Sequence, residues 1–371
     1  MKVLDVSRPV GGRRIVAAAL AALSALCLGS NVRAQTSTPT AVEKLYADLA
    51  KLPAAERAKA IEDGARKEGT LVLVHTLRGD LGNGHIDLFR KRYPFMKVEA
   101  TADIGSQDAA ERLYAEETSN RHLTDVVSIG MPDAAELLRK DYVARYPTPA
   151  TELLTPNFKR YADPQSRWLL FFWSEHGISY NSNLVPPEKA PKDWFDLCDP
   201  FFKGSVSFDP AETRFISGLW SILGEEKLVK FMECMGANNP IIQRGHTQRM
   251  ELMLAGDHMA QGDNYLYQGL VIQKKNPAAP YKIVFTAPMI ASTGGSLINR
   301  NAPHPYASAL FLDWSVSEES QKYISDQYRG PVTLKHPYLP DDVKLVDNVD
   351  PPKETADRLL GLWLKHVEKK R

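Results

Sequence analysis

The chain has 371 residues, of which 43% are hydrophobic and 25% are charged, and its 46 Lys and Arg residues nearly balance 45 Asp and Glu residues, for a net charge of +1. This balance removes the global electrostatic argument for nucleic-acid binding or for adsorption to a polyanionic membrane, since both need a concentrated basic surface. The sequence also lacks low-complexity stretches and repeats of solenoid period. Partners must therefore be inferred from local features.

The first 34 residues have the pattern of a secretory signal peptide. Arg13 and Arg14 precede the apolar run 15–29, and Val32 and Ala34 are the small residues before a cleavage site. The run has about 15 residues, fewer than the roughly 20 that span a bilayer as a helix. We therefore predict a signal peptide over 1–34 and a mature protein in the periplasm. General secretory and twin-arginine export both remain open.

The mature chain keeps two cysteines, Cys198 and Cys234. An oxidising compartment allows a disulfide between them, and closing this loop would contribute roughly 4 kcal/mol in the chain-entropy model. Two unrelated buried thiols are an equally good interpretation. Neither cysteine has the spacing to histidines that zinc sites require.

The first part of the mature chain alternates helical and strand patterns. Alternation of this kind predicts a mostly parallel sheet with helices on both faces. The patterns predict helices over 42–51 and 54–67, a strand over 70–74, a glycine-containing loop at 79–84, a helix over 86–93, a strand over 96–100, a helix over 109–118, a strand over 125–128 and a helix over 134–140.

The middle of the chain changes to aromatic and β-branched runs at 168–173 and 177–181, which suit strands that cross between two lobes. About 335 residues after the leader also favour two lobes over one continuous core. We predict a tether and helices over 35–68, lobe one over 69–175 completed by about 288–335, lobe two over 176–287, and a C-terminal segment, 336–371, whose helix packs on a lobe.

Several motifs, taken in order, resemble the extracellular solute-binding proteins of family 1, within the branch that includes iron(III), thiamine and polyamine binders. No single motif decides this, but together they cover nearly the whole mature chain. They are the segments 65–74, 89–94 with 98–99, 112–116 with 125–127, 177–181 with 184–187, and Trp194 with 199–200 and 203–204.

The resemblance implies an α/β protein with the type II periplasmic-binding fold, in which two α/β lobes are joined by crossing strands and a ligand lies in the cleft between them. It implies a binding protein without enzymatic activity that closes by hinge motion and delivers a small ligand to an ABC permease in the inner membrane. We expect a monomer with no resident cofactor and no nucleic-acid partner. Strand ends and helix amino termini facing the cleft would suit oxyanions.

Seven residues fall at strand ends or helix starts that this fold would direct into the cleft. Capping or turn roles are the simpler interpretation for several of them. The candidates are Thr76, Arg78, Ser106 and Ser128 from lobe one, and Thr213, Arg214 and Tyr265 from lobe two.

Two ligand classes remain open. The ferric members of the resembled family bind metal through adjacent tyrosines, but here Tyr265 is followed by Leu266, so the pair is broken unless Tyr267 replaces the missing tyrosine. Tyr265 would then be the metal ligand, and ferric iron the transported ligand. Guanidinium groups such as Arg78 and Arg214 instead suit carboxylate or phosphonate groups, which favours an organic anion.

Two other function classes share this fold. A cleft enzyme would need a nucleophile with a positioned base, and the sequence contains no G-x-S-x-G or H-E-x-x-H motif. A periplasmic sensor subunit would use the same fold and cleft, and the sequence alone does not separate it from a transport protein.

Overall fold

A computed structural model describes residues 38–77, 79–210, 213–286, 288–340, 343–347 and 352–369. Apart from Thr38, these residues belong to one compact unit, Pro39–Arg371. The predicted signal peptide and Arg78 lie outside the described residues. Within the described ranges, no helix is long and apolar enough to cross a membrane.

The helices of the described residues surround a central sheet, and most begin and end close to the predicted positions. In chain order they are α1 (Ala41–Leu49), α2 (Ala54–Glu68), α3 (Gly79–Arg92), α4 (Ser106–Thr118), α5 (Met131–Arg139), α6 (Pro156–Lys159), α7 (Thr213–Ala237), α8 (His246–Ala255), α9 (Tyr267–Lys275), α10 (Pro305–Ser315), α11 (Glu318–Asp326) and α12 (Lys353–His366).

The strands of the described residues join in one sheet in the order β2-β1-β3-β9-β4-β7-β5-β6, with β8 and β10 also paired to β4 and β11 paired to β9. They are β1 (Thr70–His75), β2 (Lys97–Thr101), β3 (Val126–Gly130), β4 (Leu169–Asn181), β5 (Val206–Phe208), β6 (Ile241–Ile242), β7 (Ala260–Tyr265), β8 (Tyr281–Val284), β9 (Met289–Ile298), β10 (Gly330–Pro331) and β11 (Leu345–Asp347).

Two long antiparallel strands, β4 and β9, connect the two halves of this sheet. On one side β9 pairs with β3, which continues the parallel set β2-β1-β3, and on the other side β4 pairs with β7. The sequence predicted two strands, 168–173 and 177–181, where the structure has one. Ser174, Glu175 and His176 continue β4 between these runs because the backbone hydrogen bonds to β9 extend through them.

Each lobe has its own hydrophobic core. Phe89, Phe171 and Phe311 are fully buried in lobe one, where α1 and α2 also pack. Lobe two is built around Phe208, Phe215 and other buried side chains, and α12 adds Trp363 to that core. A disulfide joins Cys198 to Cys234 in lobe two. The sheet therefore carries two cores, and β4 and β9 contribute side chains to both.

The predicted glycine-containing loop at 79–84 is wrong, since this segment forms the first turns of α3. The glycines permit close packing there. A Cβ placed on Gly82 would lie 1.8 Å from the carbonyl oxygen of Leu77, and one on Gly84 would lie 2.2 Å from the hydroxyl of Tyr323. Glycine is required at Gly82 because a backbone atom occupies the space of a Cβ, whereas at Gly84 the neighbour is the end of a side chain that can move.

Candidate functional site

Three of the predicted residues of lobe one lie together where β1 and β3 end. The Thr76 hydroxyl donates to the carbonyl oxygen of Ser128 at 2.7 Å, and the Ser106 hydroxyl accepts from the backbone N–H of Gly130 at 2.9 Å. Ser128 is fully buried, and its own hydroxyl is 2.8 Å from that of Ser296. Its side chain is therefore engaged within the sheet, and Thr76 and Ser106 brace the strand ends.

An ion pair crosses from lobe two to this corner of lobe one. Arg214, in the first turn of α7, donates to Asp133 in the first turn of α5 at 2.5 Å. Asp133 is close to Ser106, since a Cβ on Gly130 would lie 3.5 Å from the Ser106 hydroxyl and 3.7 Å from the Asp133 carboxylate. The structure thus brings Ser106 and Arg214 to the same region. Thr213 begins α7 and is exposed.

Deeper in the cleft, β4 carries a histidine whose ring nitrogens are not hydrogen-bonded. His176 is fully buried, and neither Nδ1 nor Nε2 has a hydrogen-bond partner. It lies opposite Tyr265 in the β4–β7 register, with the two ring centroids 4.0 Å apart. Buried polar groups in folded proteins are normally hydrogen-bonded. Its unsatisfied hydrogen-bonding capacity makes His176 a candidate for contact with a ligand.

Cationic groups surround this histidine. Burial, followed by the nearby charges of His246, Arg214, Arg329 and Arg249, lowers the pKa of His176 well below its usual value. The imidazole is therefore neutral at pH 7. The clustered positive charge favours a negative group at this point in the cleft.

One of these cations is balanced inside the protein. Arg249 is fully buried and donates to the Asp263 carboxylate at 2.5 Å, and that carboxylate also accepts from the backbone N–H of Asp209 at 2.8 Å. Burial raises the pKa of Asp263, an effect that Arg249 opposes. Asp263 is thus engaged by Arg249 and by backbone, so this pair fixes the α8–β7 geometry.

Arg329 differs, because its partners are neutral. Its guanidinium donates to the hydroxyls of Ser174 and Tyr267 and lies 3.9 Å from the centre of the Tyr267 ring. Its Nε is buried without an acceptor. Among the residues that the structure describes, no carboxylate lies within salt-bridge distance of it, whereas Arg214 has Asp133, and Arg249 has Asp209 and Asp263. Arg329 is therefore the arginine of this group that has no ion pair among the described residues.

The tyrosine region has one feature in favour of a metal and two against. Tyr265 and Tyr267 have ring centroids 6.2 Å apart. Leu266, between them, is buried in the core, and Tyr267 is covered by the Arg329 guanidinium. A cation beside Arg329 would be repelled.

The sequence interpretation missed three hinge residues: His176, Ser292 and Arg329. A signal existed for the first, since Ser174-Glu175-His176 is a polar interruption in an apolar run predicted to cross between lobes. Arg329 has no such signal. It reaches the hinge because β10, which directly follows it, pairs with β4 at Trp173.

Comparison of the sequence with protein-family models gives one match. The family described as bacterial extracellular solute-binding protein matches residues 125–354, well over half of the chain. A comparison with curated proteins finds no match.

Solved structures share the fold at low sequence identity. Iron-bound HitA from Pseudomonas aeruginosa is 19% identical, with a TM-score of 0.65, over 79% of this chain and 98% of that one. AfuA from Actinobacillus pleuropneumoniae, solved with fructose-6-phosphate, is 18% identical with a TM-score of 0.65 over 81% and 99%. An ABC-transporter substrate-binding protein from Agrobacterium tumefaciens is 14% identical with a TM-score of 0.68 over 80% and 94%. These likenesses confirm the predicted two-lobed α/β binding-protein fold.

Proposed function

This chain belongs to the bacterial extracellular solute-binding protein family, and on that premise we propose that it captures a small organic anion between its lobes. The predicted resemblance to extracellular solute-binding proteins is thereby confirmed. In our proposal the anion lies at the hinge, on the side of β4 that carries Ser174 and His176. The liganded protein, in the periplasm, then delivers it to an ABC permease of the inner membrane.

The positive charge and the unpartnered donors at the hinge carry the anion assignment. Arg329 has only neutral partners, its Nε is buried without an acceptor, and the ring of His176 is buried with neither nitrogen bonded. Leaving a buried donor unsatisfied costs about 1–3 kcal/mol. An oxyanion that enters the site would remove that cost.

A binding role fits this arrangement better than catalysis. A cleft enzyme would need a nucleophile held against a base. Cys198 and Cys234 are joined in a disulfide in lobe two, and His176 has no hydroxyl or thiol bonded to it. The site offers donors and charge, which are the means of holding a solute.

Ferric iron is the competing cargo. Tyr265 and Tyr267 are close to each other, and HitA, which shares the fold, was solved with iron bound. Against this, the Tyr267 hydroxyl already accepts from Arg329, and a trivalent cation would lie against that guanidinium. The anion is therefore favoured, and both cargoes are tested below.

Thermal-shift measurements on refolded, ligand-stripped protein test the proposal. The panel comprises phosphorylated, phosphonate, sulfonate and dicarboxylate solutes, ferric salts with and without citrate, polyamines and thiamine. A ligand at 100 times its Kd adds about 2.7 kcal/mol of stability. We expect stabilisation by an organic anion that is lost in Arg329→Ala and kept in Arg121→Ala, which removes an exposed arginine of lobe one.

Stabilisation by ferric salts alone, lost in Tyr265→Phe, would overturn the anion assignment in favour of iron transport. Stabilisation by polyamines or thiamine alone would overturn it as well, because those solutes are cations. An anion response that Arg329→Ala leaves unchanged would show that the ligand binds elsewhere.

A further inference from the structure

The two faces of β4 have different neighbours at the hinge. Successive side chains of a strand project to opposite faces, so Ser174 and His176 lie on one face and Trp173 and Glu175 on the other. Ser292 is directly opposite Ser174 on β9 and shares the first face, and among the described residues its buried hydroxyl has no hydrogen-bond partner. That face is the side proposed above for the anion. The chain that follows β10 lies against the other face.

The chain from β10 to β11 crosses the pair of strands β4 and β9. β10 pairs with Trp173 on the outer edge of β4, since Trp173 pairs with Thr293 of β9 on its inner edge. β11 pairs with Ala291 on the outer edge of β9, since Ala291 pairs with Glu175 of β4 on its inner edge. The chain therefore passes from one outer edge of this pair to the other. We call residues 329–340, at its beginning, the strap.

The strap is anchored in lobe one. The backbone N–H of Val332 donates to the side-chain oxygen of Gln321 in α11 at 2.7 Å, and the Val332 carbonyl oxygen accepts from the backbone N–H of Thr155 at 2.9 Å. Further along, Leu339 is buried in the core of lobe one. The strap should therefore move with lobe one when the hinge bends.

One carboxylate oxygen of Glu175 joins the strap to lobe two. Its Oε1 accepts from the backbone N–H of Tyr267 at 3.1 Å and also from the hydroxyl of Tyr338 in the strap. Tyr267 begins α9, which packs on lobe two through Leu270 and Ile272. Rotation of lobe two about β4 and β9 moves Tyr267 relative to Tyr338. Because hydrogen bonds weaken steeply with distance and angle, one oxygen can hold both donors only over a narrow range of lobe angles.

The other carboxylate oxygen of Glu175 also faces the strap. Its Oε2 is 3.5 Å from Nε2 of His336, and within the described residues neither of these buried atoms has a hydrogen-bond partner. Nδ1 of His336 accepts from the backbone N–H groups of Tyr338 and Leu339, so a neutral ring carries its proton on Nε2. A movement of the strap toward β4 by about half an ångström would complete this hydrogen bond. Glu175 therefore faces three donors, one from α9 and two from the strap.

The strap begins at an arginine of the proposed anion site. Arg329 donates to the Tyr267 hydroxyl at 2.8 Å, and Tyr267 donates its backbone N–H to Glu175. On the opposite side of the hinge, Arg214 of lobe two pairs with Asp133 of lobe one. The contacts in front of the hinge and behind it are thus made in the same arrangement of the lobes.

We propose that the strap is a conformational device behind the hinge, in which Glu175, bonded to both Tyr338 and Tyr267, holds the lobes in the closed arrangement. A solute that contacts Arg329 would fix the first residue of the strap, so binding and closure would stabilise each other. The device acts on the lobes whatever the solute is. The inference therefore goes beyond the anion proposal and does not depend on it.

Double electron–electron resonance on the protein without solute measures the balance of open and closed lobes. The spin labels are attached through Arg121→Cys in lobe one and Lys227→Cys in lobe two, which are exposed positions. Cys198 and Cys234 form a disulfide and do not take the label. In Tyr338→Phe the ratio of open to closed molecules should rise about tenfold, since a hydrogen bond to a charged group is worth about that factor.

Tyr328→Phe is the matched control. Tyr328 is a neighbouring tyrosine, with its ring centroid 6.3 Å from that of Tyr338, but the hydroxyl bonded to Glu175 belongs to Tyr338. This control should keep the wild-type ratio. Glu175→Gln is a second test, because an amide has one acceptor oxygen for the three donors, and it should raise the ratio by a similar factor. Urea unfolding verifies that each variant is folded.

A ratio that neither Tyr338→Phe nor Glu175→Gln changes would overturn the inference, as would an equal rise in Tyr328→Phe. A wild-type protein that is mainly open without solute would overturn it too. None of these results bears on the anion proposal, since no solute is present in the measurement. The thermal-shift panel tests that proposal separately.

Discussion

Two sites of buried histidine in this molecule differ in one respect, their hydrogen bonding. In lobe one, the backbone N–H of Leu77 donates to Nδ1 of His75. The other ring nitrogen of His75, Nε2, is 3.1 Å from Nδ1 of His85. Nε2 of His85 is in turn 2.8 Å from the Ser320 hydroxyl. At the hinge, both nitrogens of His176 lack partners. All three rings are fully buried.

The difference separates a structural site from a binding site. The Ser320 hydroxyl donates onward to the carbonyl oxygen of Ser315, so the chain through His75 and His85 is complete and fixes both rings as neutral imidazoles. The incomplete hydrogen bonding of His176 is what a ligand would complete. Burial alone therefore does not distinguish His176 from the other two histidines, whereas its unsatisfied hydrogen-bonding capacity makes it the candidate for ligand contact.

The largest expected effect is the loss of folding stability in acid that the buried pair His75 and His85 should cause. Burial lowers the pKa of His75 to about 3 and that of His85 well below its usual value of 6.5. The unfolded chain therefore binds protons that the folded chain does not, and stability is present above pH 6.5 and lost as the pH falls below it. We expect the free energy of unfolding in urea to fall by about 1.4 kcal/mol per pH unit for each histidine.

A double variant checks the source of that acid sensitivity. His75→Leu with His85→Leu should roughly halve the slope below pH 6.5, because two titrating groups are gone while His176 and His258, whose pKa values are also lowered, remain. His122→Gln, which changes a less buried histidine of lobe one, should keep most of it. An undiminished slope in the double variant would assign the acid sensitivity to other groups.

Single substitutions in the two histidine sites should change the free energy of unfolding by different amounts. His85→Leu orphans the His75 N–H and removes a partner of Ser320, so it should cost about 2–3 kcal/mol of unfolding free energy. His176→Leu removes nitrogens that have no partner, so it should be nearly neutral or slightly stabilising. Urea unfolding at pH 8 measures both. Equal losses in the two variants would contradict the distinction drawn here.

The effects of the same two substitutions on ligand affinity should have the opposite order. His176→Leu should weaken the binding of the organic anion identified by the thermal-shift panel by about tenfold or more. His85→Leu should leave its Kd within about twofold, provided titration is done where both variants are folded. If His85→Leu weakens ligand binding more than His176→Leu does, His176 would have to be counted among the structural residues.

The sequence predicted these regions unequally, for reasons the structure makes plain. Arg214 and Tyr265 follow from local patterns, because a helix start and a strand end can be seen within a few residues. The engagement of the Ser128 hydroxyl could not be foreseen, since it depends on β9 pairing with β3 so that Ser296 lies opposite. Arg329 likewise depends on the pairing of β10 with a strand more than a hundred residues earlier.

The ion pair between Arg214 and Asp133 should have the smallest effect of these predictions. Arg214 has a carboxylate partner, Asp133, and both side chains are partly exposed, so their ion pair should contribute about 1 kcal/mol or less. Asp133→Asn should therefore shift the balance of closed and open lobes by about fivefold at most. Small-angle scattering should show a slightly larger radius of gyration without ligand. An unchanged radius would mean that the pair does not hold the lobes together.

The location of a bound anion tests the central claim most directly. A crystal structure with the organic anion that stabilises the protein in the thermal-shift panel should show its anionic group within hydrogen-bond distance of Ser292, Arg329 and a ring nitrogen of His176. An anion bound away from these three residues, or a metal ion bound by Tyr265 and Tyr267 in its place, would contradict the account.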